Sequence, residues 1–204
     1  MNVWLLLPVK PFAQGKSRLA SVLGEEERVR LNQTLLRHVL TTALSANMLS
    51  GITVISRDPQ VLAIARSQAV EALAEEGTGL NHALAQGRRH ALSRQADALL
   101  VLPADLPLLT TEDVYRILEY GKSFSSVVIA PSPDGGTNAL LVRPPTAIPF
   151  RFGRNSFERH CAAARRAQLS LHIVTSPGLQ TDVDWPQQLA ALPSTLLIAL
   201  TQKI

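Results

Sequence analysis

The chain has 204 residues, 46% of them hydrophobic and 18% charged, which supplies one full core and excludes a disordered chain, whose mark is low hydrophobicity with high net charge. One cysteine, Cys161, permits neither an intramolecular disulfide nor a cysteine-built metal site and points to a reducing, cytoplasmic setting; the first apolar run, Val3 to Val9, is broken by Pro8, and no run nears the ~18 apolar residues of a membrane span. The net charge of +4 admits anionic partners, but the 16 arginines scatter, no block of five or six like charges exists, and nine aromatics are too few for a base-stacking platform, so a nucleic-acid surface is poorly supported.

Apolar runs of strand length recur at Val3 to Leu7, Ile52 to Ile55, Ala98 to Leu102, Ser126 to Ala130, Ala139 to Val142 and Leu171 to Val174. Most alternate with helical patterns. Between Glu25 and Ala46, Val29, Leu31, Leu35, Leu36, Val39, Leu40 and Leu44 mark one helix face behind the acidic start Glu25-Glu26-Glu27. Asp58-Pro59 reads as an N-cap with proline at the first helical position, and Thr110-Thr111-Glu112-Asp113 as a capping box. Strands alternating with helices predict an α/β fold, a mostly parallel sheet covered on both faces, with 1–204 forming one domain. Pro144-Pro145 and Pro149 break the pattern, so Pro131 to Gly153 is expected to be a hairpin or lid carried on the sheet, turning at Asp134-Gly135-Gly136.

Ligands of such sheets bind beyond the carboxyl ends of the strands, so the segments following each apolar run are the candidates for chemistry. The first is Pro8 to Leu19. Gly15-Lys16-Ser17 invites a P-loop reading, but Lys10 stands where that motif needs its first glycine. What remains is a loop with cations at Lys10, Lys16 and Arg18, suited to a polyphosphate, or else a solvated basic loop. If it serves phosphate, Lys16 and Arg18 are expected to be exposed in the empty protein.

Glu75-Glu76-Gly77-Thr78-Gly79-Leu80-Asn81 joins glycines, carboxylates and an amide at a strand-to-helix turn. Its glycines let backbone approach a flat base, and a carboxylate there suits the N–H edge of guanine; a simple turn before a helix fits equally. Asp105, between Pro103 and Pro107, ends an apolar strand, and Asp182 and Asp184 precede a short helix that Asp184 is equally suited to cap. Brought together, the three carboxylates would make an oxygen-rich site for Mg²⁺. Thr137, Gly153, Arg154 and Ser156 describe a monophosphate cradle at a helix N-terminus, with Ser156 alternatively an N-cap. His160 and the other histidines lack metal-ligand spacing and read as structural or surface groups, and Cys161 as core.

The succession Pro8-Val9-Lys10-Pro11 with Lys16-Ser17-Arg18-Leu19, Gly77-Thr78-Gly79-Leu80-Asn81, Pro103-Ala104-Asp105-Leu106-Pro107, Gly136-Thr137-Asn138-Ala139-Leu140, and Phe152-Gly153 with Ser156-Phe157 and His160 resembles the CofC/FbiD guanylyltransferases over nearly the whole chain. The resemblance implies a Rossmann-like three-layer fold of the nucleotide-diphospho-sugar-transferase type. It implies a cytoplasmic enzyme of coenzyme F-420 biosynthesis that moves GMP from GTP to phosphoenolpyruvate or 2-phospho-L-lactate and hands its product to a deazaflavin transferase. Carried over by position, Lys10, Lys16 and Arg18 would hold the GTP phosphates, with Lys16, Arg18 and Asp105 catalytic. Glu76, Gly77, Gly79 and Asn81 would lie at the nucleotide; Thr137, Gly153 and Ser156 would bind the acid; Asp105 and Asp184 or Asp182 would take Mg²⁺.

The closing motif departs from the family's Asp-x-Asp-Thr-Pro-Glu-Asp-Leu: Trp185 replaces threonine and Gln187-Gln188 the acidic pair. Phosphoenolpyruvate is favoured because the chain looks like the bacterial members. The reading of a different class is a non-catalytic anion-binding or nucleic-acid-binding α/β module using the same basic loop. Such a module has no use for carboxylates around its phosphate site.

Overall fold

Side-chain alternation decides how this chain packs. In the computed structural model, which describes residues 1–194 and Leu197, the first strand, β1 (Val3–Pro8), sends Val3, Leu5 and Leu7 into one core and Trp4 and Leu6 into another, as the two-residue period of a strand requires. Leu5, Leu6 and Leu7 are fully buried, each contributing about 1.5–3 kcal/mol relative to exposure. The same division recurs along β4 (Ala98–Val101), β5 (Ser126–Pro131) and β6 (Thr137–Arg143).

With β2 (Gly51–Ser56), β3 (Glu71–Ala74) and β7 (Ser170–Ile173), these form a seven-stranded sheet in the order β3-β2-β1-β4-β6-β5-β7. Only β6 runs antiparallel to its neighbours, β4 and β5. The sheet is therefore mostly parallel and carries helices on both faces, an α/β fold as expected. Helices α1 (Glu25–Ser45), α2 (Pro59–Ser67) and α4 (Thr111–Tyr120) cover one face; α3 (Leu80–Ser93) and α5 (Ser156–Arg166) cover the other.

Local signals place the helix starts. Asp58 accepts from the Gln60 amide at 2.9 Å, with Pro59 opening α2; Thr110 and Asp113 form the reciprocal box that opens α4; Glu27 accepts from the Gly24 amide at 2.7 Å ahead of α1. Two short helices, α6 (Pro177–Gln180) and α7 (Pro186–Ala190), follow β7. Among the described residues no helix is long and apolar enough to cross a membrane.

Three details differ from expectation. Strand β3 has no counterpart among the apolar runs: it has four residues, begins with Glu71 and is nowhere fully buried. The hairpin is present, with Ser132 and Gly136 closing its turn, but both of its strands belong to the sheet, β6 lying between β4 and β5. Ser156 is the first residue of α5 rather than its cap; Asn155, in the left-handed region at φ 54°, holds that position. The end of the domain read over 1–204, residues 195, 196 and 198–204, lies outside the described residues.

Candidate active site

Because β1, β2, β3 and β4 are parallel, the segments that follow them emerge at one edge of the sheet. The antiparallel β6 begins at that edge, and β5 and β7 end there. The chain first winds from β1 outward to β2 and β3, then returns to lay β4 on the other side of β1. The loops leaving β1 and β4 diverge at this reversal, the crevice where open α/β sheets bind ligands.

The loop after β1 is anchored at both ends. Phe12 is buried, its amide donates to Asp58 Oδ2 at 2.9 Å, and Asn32 Nδ2 donates to its carbonyl at 3.0 Å. Leu19 packs in a third cluster with Leu31 and Leu35 of α1 and with Val183. Between these anchors Lys16 adopts the left-handed region at φ 57°, and its side chain is buried. Its Nζ lies 2.5 Å from Asp105 Oδ2 and 2.9 Å from Asp184 Oδ1.

Lys16 is thus not the exposed cation expected from the sequence; it is buried at 9% exposure. Burial pulls its pKa down, but Asp105 and Asp184 outweigh that and hold it above the ordinary lysine value. Arg18 matches expectation: it is exposed, reaching Asp184 Oδ2 at 3.5 Å with its guanidinium 4.7 Å above the ring of Trp185. Lys10 is also exposed.

Val183, fully buried, pins the closing segment so that Asp182 and Asp184 flank the same cluster. Asp184 does not cap α7. Gln188 Oε1 instead accepts from the amides of Asp184 and Trp185 at 2.7 and 2.8 Å, while its Nε2 donates to Asp182 Oδ1 at 2.8 Å. The glutamine that departs from the family motif therefore closes the turn itself. Burial, then the charges of Asp105 and Asp184, push the Asp182 carboxyl up, against the pull of Lys16.

Asp105 and Asp184 thus face a single point, and that point already holds a cation, the Lys16 ammonium. Among the described residues no group of three or more His, Cys, Asp or Glu has metal-holding geometry. Mg²⁺ asks for less: one or two carboxylates with substrate phosphates and water complete its shell. The donor set fits that requirement, with Asp105 and Asp184 as the pair in place and Asp182 beside them.

At the turn after β3, Arg57 holds Glu75 through two contacts, Nε to Oε2 at 3.0 Å and Nη2 to Oε1 at 3.1 Å. Glu76 is the more available carboxylate of the turn: its amide donates to Gln86 Oε1 at 3.1 Å and its side chain is exposed, 3.8 Å from Arg89. Gly79, at φ 95°, caps α3 and has open space where a Cβ would stand. Gly77 packs so closely on His82 that a Cβ would lie 2.4 Å from its ring. Asn81, expected at the nucleotide, also makes a contact across the site. Its amide donates to the Phe152 carbonyl at 3.0 Å and accepts from the Phe152 amide at 2.8 Å, so it ties the start of α3 to the segment ahead of α5.

That segment and the start of β6 bring the remaining candidates together. Gly153, at φ 121°, has open space for 4 Å around the place a Cβ would occupy, and its carbonyl accepts from the Ser156 amide at 3.0 Å. Ser156 Oγ lies 3.0 Å from Thr137 Oγ1, which lies 3.3 Å from His160 Nδ1; His160 Nε2 accepts from the Arg151 amide at 2.9 Å. The hairpin turn docks here as well, the Gly135 carbonyl accepting from the Phe157 amide at 3.3 Å. Asp134 in that turn has its pKa lowered, first by the Ser132 hydroxyl and in smaller part by the charge of Arg18. The charge of Arg18 is thus felt at the hairpin turn that docks on α5.

Two functional candidates escape a reading of the sequence. Gln188 shows there only as a departure from a motif. His160 reads as structural, although it lies four residues after Ser156, a spacing that puts both on one helix face.

A family model described as "Guanylyl transferase CofC like" matches residues 3–193. Phosphoenolpyruvate guanylyltransferase from Rubrobacter xylanophilus is 43% identical over 196 residues, covering 96% of this chain and 95% of that protein. A 2-phospho-L-lactate guanylyltransferase from Methanothermobacter thermautotrophicus is 35% identical, covering 94% and 84%. Among solved structures, a protein described as a nucleotide-diphospho-sugar transferase from Desulfovibrio desulfuricans G20 superposes with a TM-score of 0.79 at 20% identity, covering 96% of this chain and 88% of that one. That likeness establishes the fold.

Proposed function

The chain belongs to the CofC-like guanylyl transferase family, and from that premise we propose that it transfers GMP from GTP to phosphoenolpyruvate, giving enolpyruvyl-diphospho-guanosine and pyrophosphate. A phosphate oxygen of the acid attacks the α-phosphorus of GTP, and the bond to the bridging oxygen of the departing pyrophosphate breaks. No protein nucleophile is required; the residues align two anions and neutralise their charge.

The observation that carries the reading is the convergence of Lys16, Asp105 and Asp184 at the reversal point of the sheet. An anion-binding module gains nothing from carboxylates there. Asp105 and Asp184, with Asp182 adjoining, would hold Mg²⁺, which supplies charge neutralisation and alignment of the phosphate oxygens. Lys16 and Arg18, with Lys10 at the mouth, bind the triphosphate. Glu76 accepts from the N–H edge of guanine, with the Gly77 and Gly79 backbone close to the base. Thr137, Ser156 and the Gly153 backbone bind the acid, and Asn81 serves that side by clasping Phe152. In this reading the enzyme acts in the cytoplasm in coenzyme F-420 biosynthesis and passes its product to a deazaflavin transferase.

A second acceptor, 2-phospho-L-lactate, is kept because a relative named for it is 35% identical to this chain. Pyrophosphate release, followed with each of the four nucleoside triphosphates and either acid, tests the proposal. It expects release with GTP and phosphoenolpyruvate in Mg²⁺, and loss of release in Asp105→Asn. Release that ignores the acid, or prefers another nucleotide, would contradict it.

A further inference from the structure

We propose that His160 is a positioning residue that keeps the Thr137 and Ser156 hydroxyl pair a net hydrogen-bond donor, so that it always presents one hydroxyl hydrogen to an anionic oxygen of the acid substrate. The inference rests on the reading of Thr137 and Ser156 as the acid subsite, and it assigns the residue that sets their polarity.

The argument is a count of hydrogens. His160 is completely buried, its ring edge-on to Phe152 at 4.9 Å between centroids. Its Nε2 faces the Arg151 amide at 2.9 Å. A backbone N–H can only donate, so Nε2 must accept and carries no proton. Burial, then the charges of Arg159 and Arg151, push the ring pKa down to about 4, so the ring is neutral near pH 7 and its one proton sits on Nδ1. That N–H points at Thr137 Oγ1, 3.3 Å away, and Thr137 Oγ1 faces Ser156 Oγ at 3.0 Å.

The two hydroxyls own two hydrogens, and the bond between them uses one. Thr137 needs none for His160, because it accepts there. One hydrogen is left over whichever hydroxyl donates to the other; because Ser156 is buried and Thr137 only half-buried, it is offered to a carboxylate or phosphate oxygen most directly when Ser156 donates to Thr137. The opposite tautomer reverses the result: Thr137 would donate to Nδ1, Ser156 would donate to Thr137, and only lone pairs would face the anion. The Arg151 amide thus selects the tautomer, and the tautomer selects an anion over a donor-bearing ligand.

Variants separate this role from a structural one. In His160→Gln the amide reaches toward Arg151 but leaves Thr137 without its donor, whereas in His160→Asn the amide nitrogen takes the place of Nδ1. With no donor fixing Thr137 as an acceptor, its hydroxyl is free to turn its hydrogen toward water in the vacated space instead of toward the acid, so we expect His160→Gln to raise the KM for phosphoenolpyruvate by up to about tenfold, the scale of one lost hydrogen bond to a charged group, with the KM for GTP unchanged. His160→Asn is expected to stay close to wild type. In a Thr137→Ala background, His160→Gln should add nothing further. Nitrogen-15 shifts of the histidine ring provide a readout independent of turnover and should show Nδ1 protonated.

A ring protonated on Nε2, equal effects of Gln and Asn, or effects that add to Thr137→Ala would overturn the role of His160. A Thr137→Ala variant with unchanged acid KM would overturn the acid subsite itself, and the inference with it. If Thr137→Ala impairs acid binding while His160→Gln matches wild type, the subsite stands and the positioning role falls.

Discussion

Lys16 Nζ and Asp105 Oδ2 lie 2.5 Å apart although 89 residues separate them along the chain. The pair joins the loop leaving β1 to the loop leaving β4, the two segments that diverge where the winding of the sheet reverses. It is the contact around which both halves of the proposed site are arranged.

Replacing Lys16 and replacing Arg18 should therefore have different consequences. Lys16→Met removes a buried cation shared by Asp105 and Asp184, whose side chains are 29% and 40% exposed. Solvent screening reduces the several kcal/mol expected for a dry pair, and a loss of about 1–2 kcal/mol remains. Thermal melting in buffer with and without Mg²⁺ should show a lower Tm that the metal restores more in the variant than in the wild type. Arg18→Ala should leave Tm within the error of the measurement and lower turnover by about 2–4 kcal/mol of activation free energy. Equal thermal losses in the two variants would count against the arrangement.

Asn81→Ala tests the clasp on Phe152. Two hydrogen bonds vanish at the edge of the proposed acid subsite, at a cost of about 1–2 kcal/mol in stability. Steady-state kinetics should show a higher KM for the acid with the preference for GTP over ATP intact. Loss of nucleotide preference with unchanged acid KM would return Asn81 to the guanine side.

Acid sensitivity follows from His160. Its pKa is lowered from 6.5 to about 4 in the folded protein, so the unfolded chain binds the proton more readily. The stability this ring contributes is complete above pH 6.5 and declines as pH falls toward 4, by an amount on the order of 3 kcal/mol. In His160→Asn the slope of unfolding free energy against pH in that window should flatten. A slope identical to wild type would show that other groups carry the dependence.

Ser156→Ala should raise the acid KM and leave that for GTP nearly unchanged, the pattern of lost ground-state binding. Initial-rate measurements with each substrate varied in turn decide it. Impaired GTP binding with normal acid saturation would mean that the two half-sites are exchanged.

What is legible in the sequence is what local chemistry determines. Asp58 with Pro59 and Thr110 with Asp113 announce helix starts because their partners lie within three residues. Strands β1, β4, β5 and β6 announce themselves as apolar runs because both of their faces are buried. Strand β3 is hidden because its half-exposed residues carry no such pattern. The burial of Lys16 is hidden because its partners lie 89 and 168 residues away along the chain. The role of His160 has one faint signal, its spacing from Ser156; its tautomer depends on a backbone amide nine residues upstream.

The most direct measurement is mass analysis of the products formed when the purified protein is incubated with GTP, Mg²⁺ and equal amounts of phosphoenolpyruvate and 2-phospho-L-lactate, with a deazaflavin transferase present to draw the reaction forward. The account predicts enolpyruvyl-diphospho-guanosine or its deazaflavin derivative as the main product, and none from Asp105→Asn. A lactyl product alone would contradict the proposed acceptor, and no guanylyl adduct of either acid would contradict the proposed reaction.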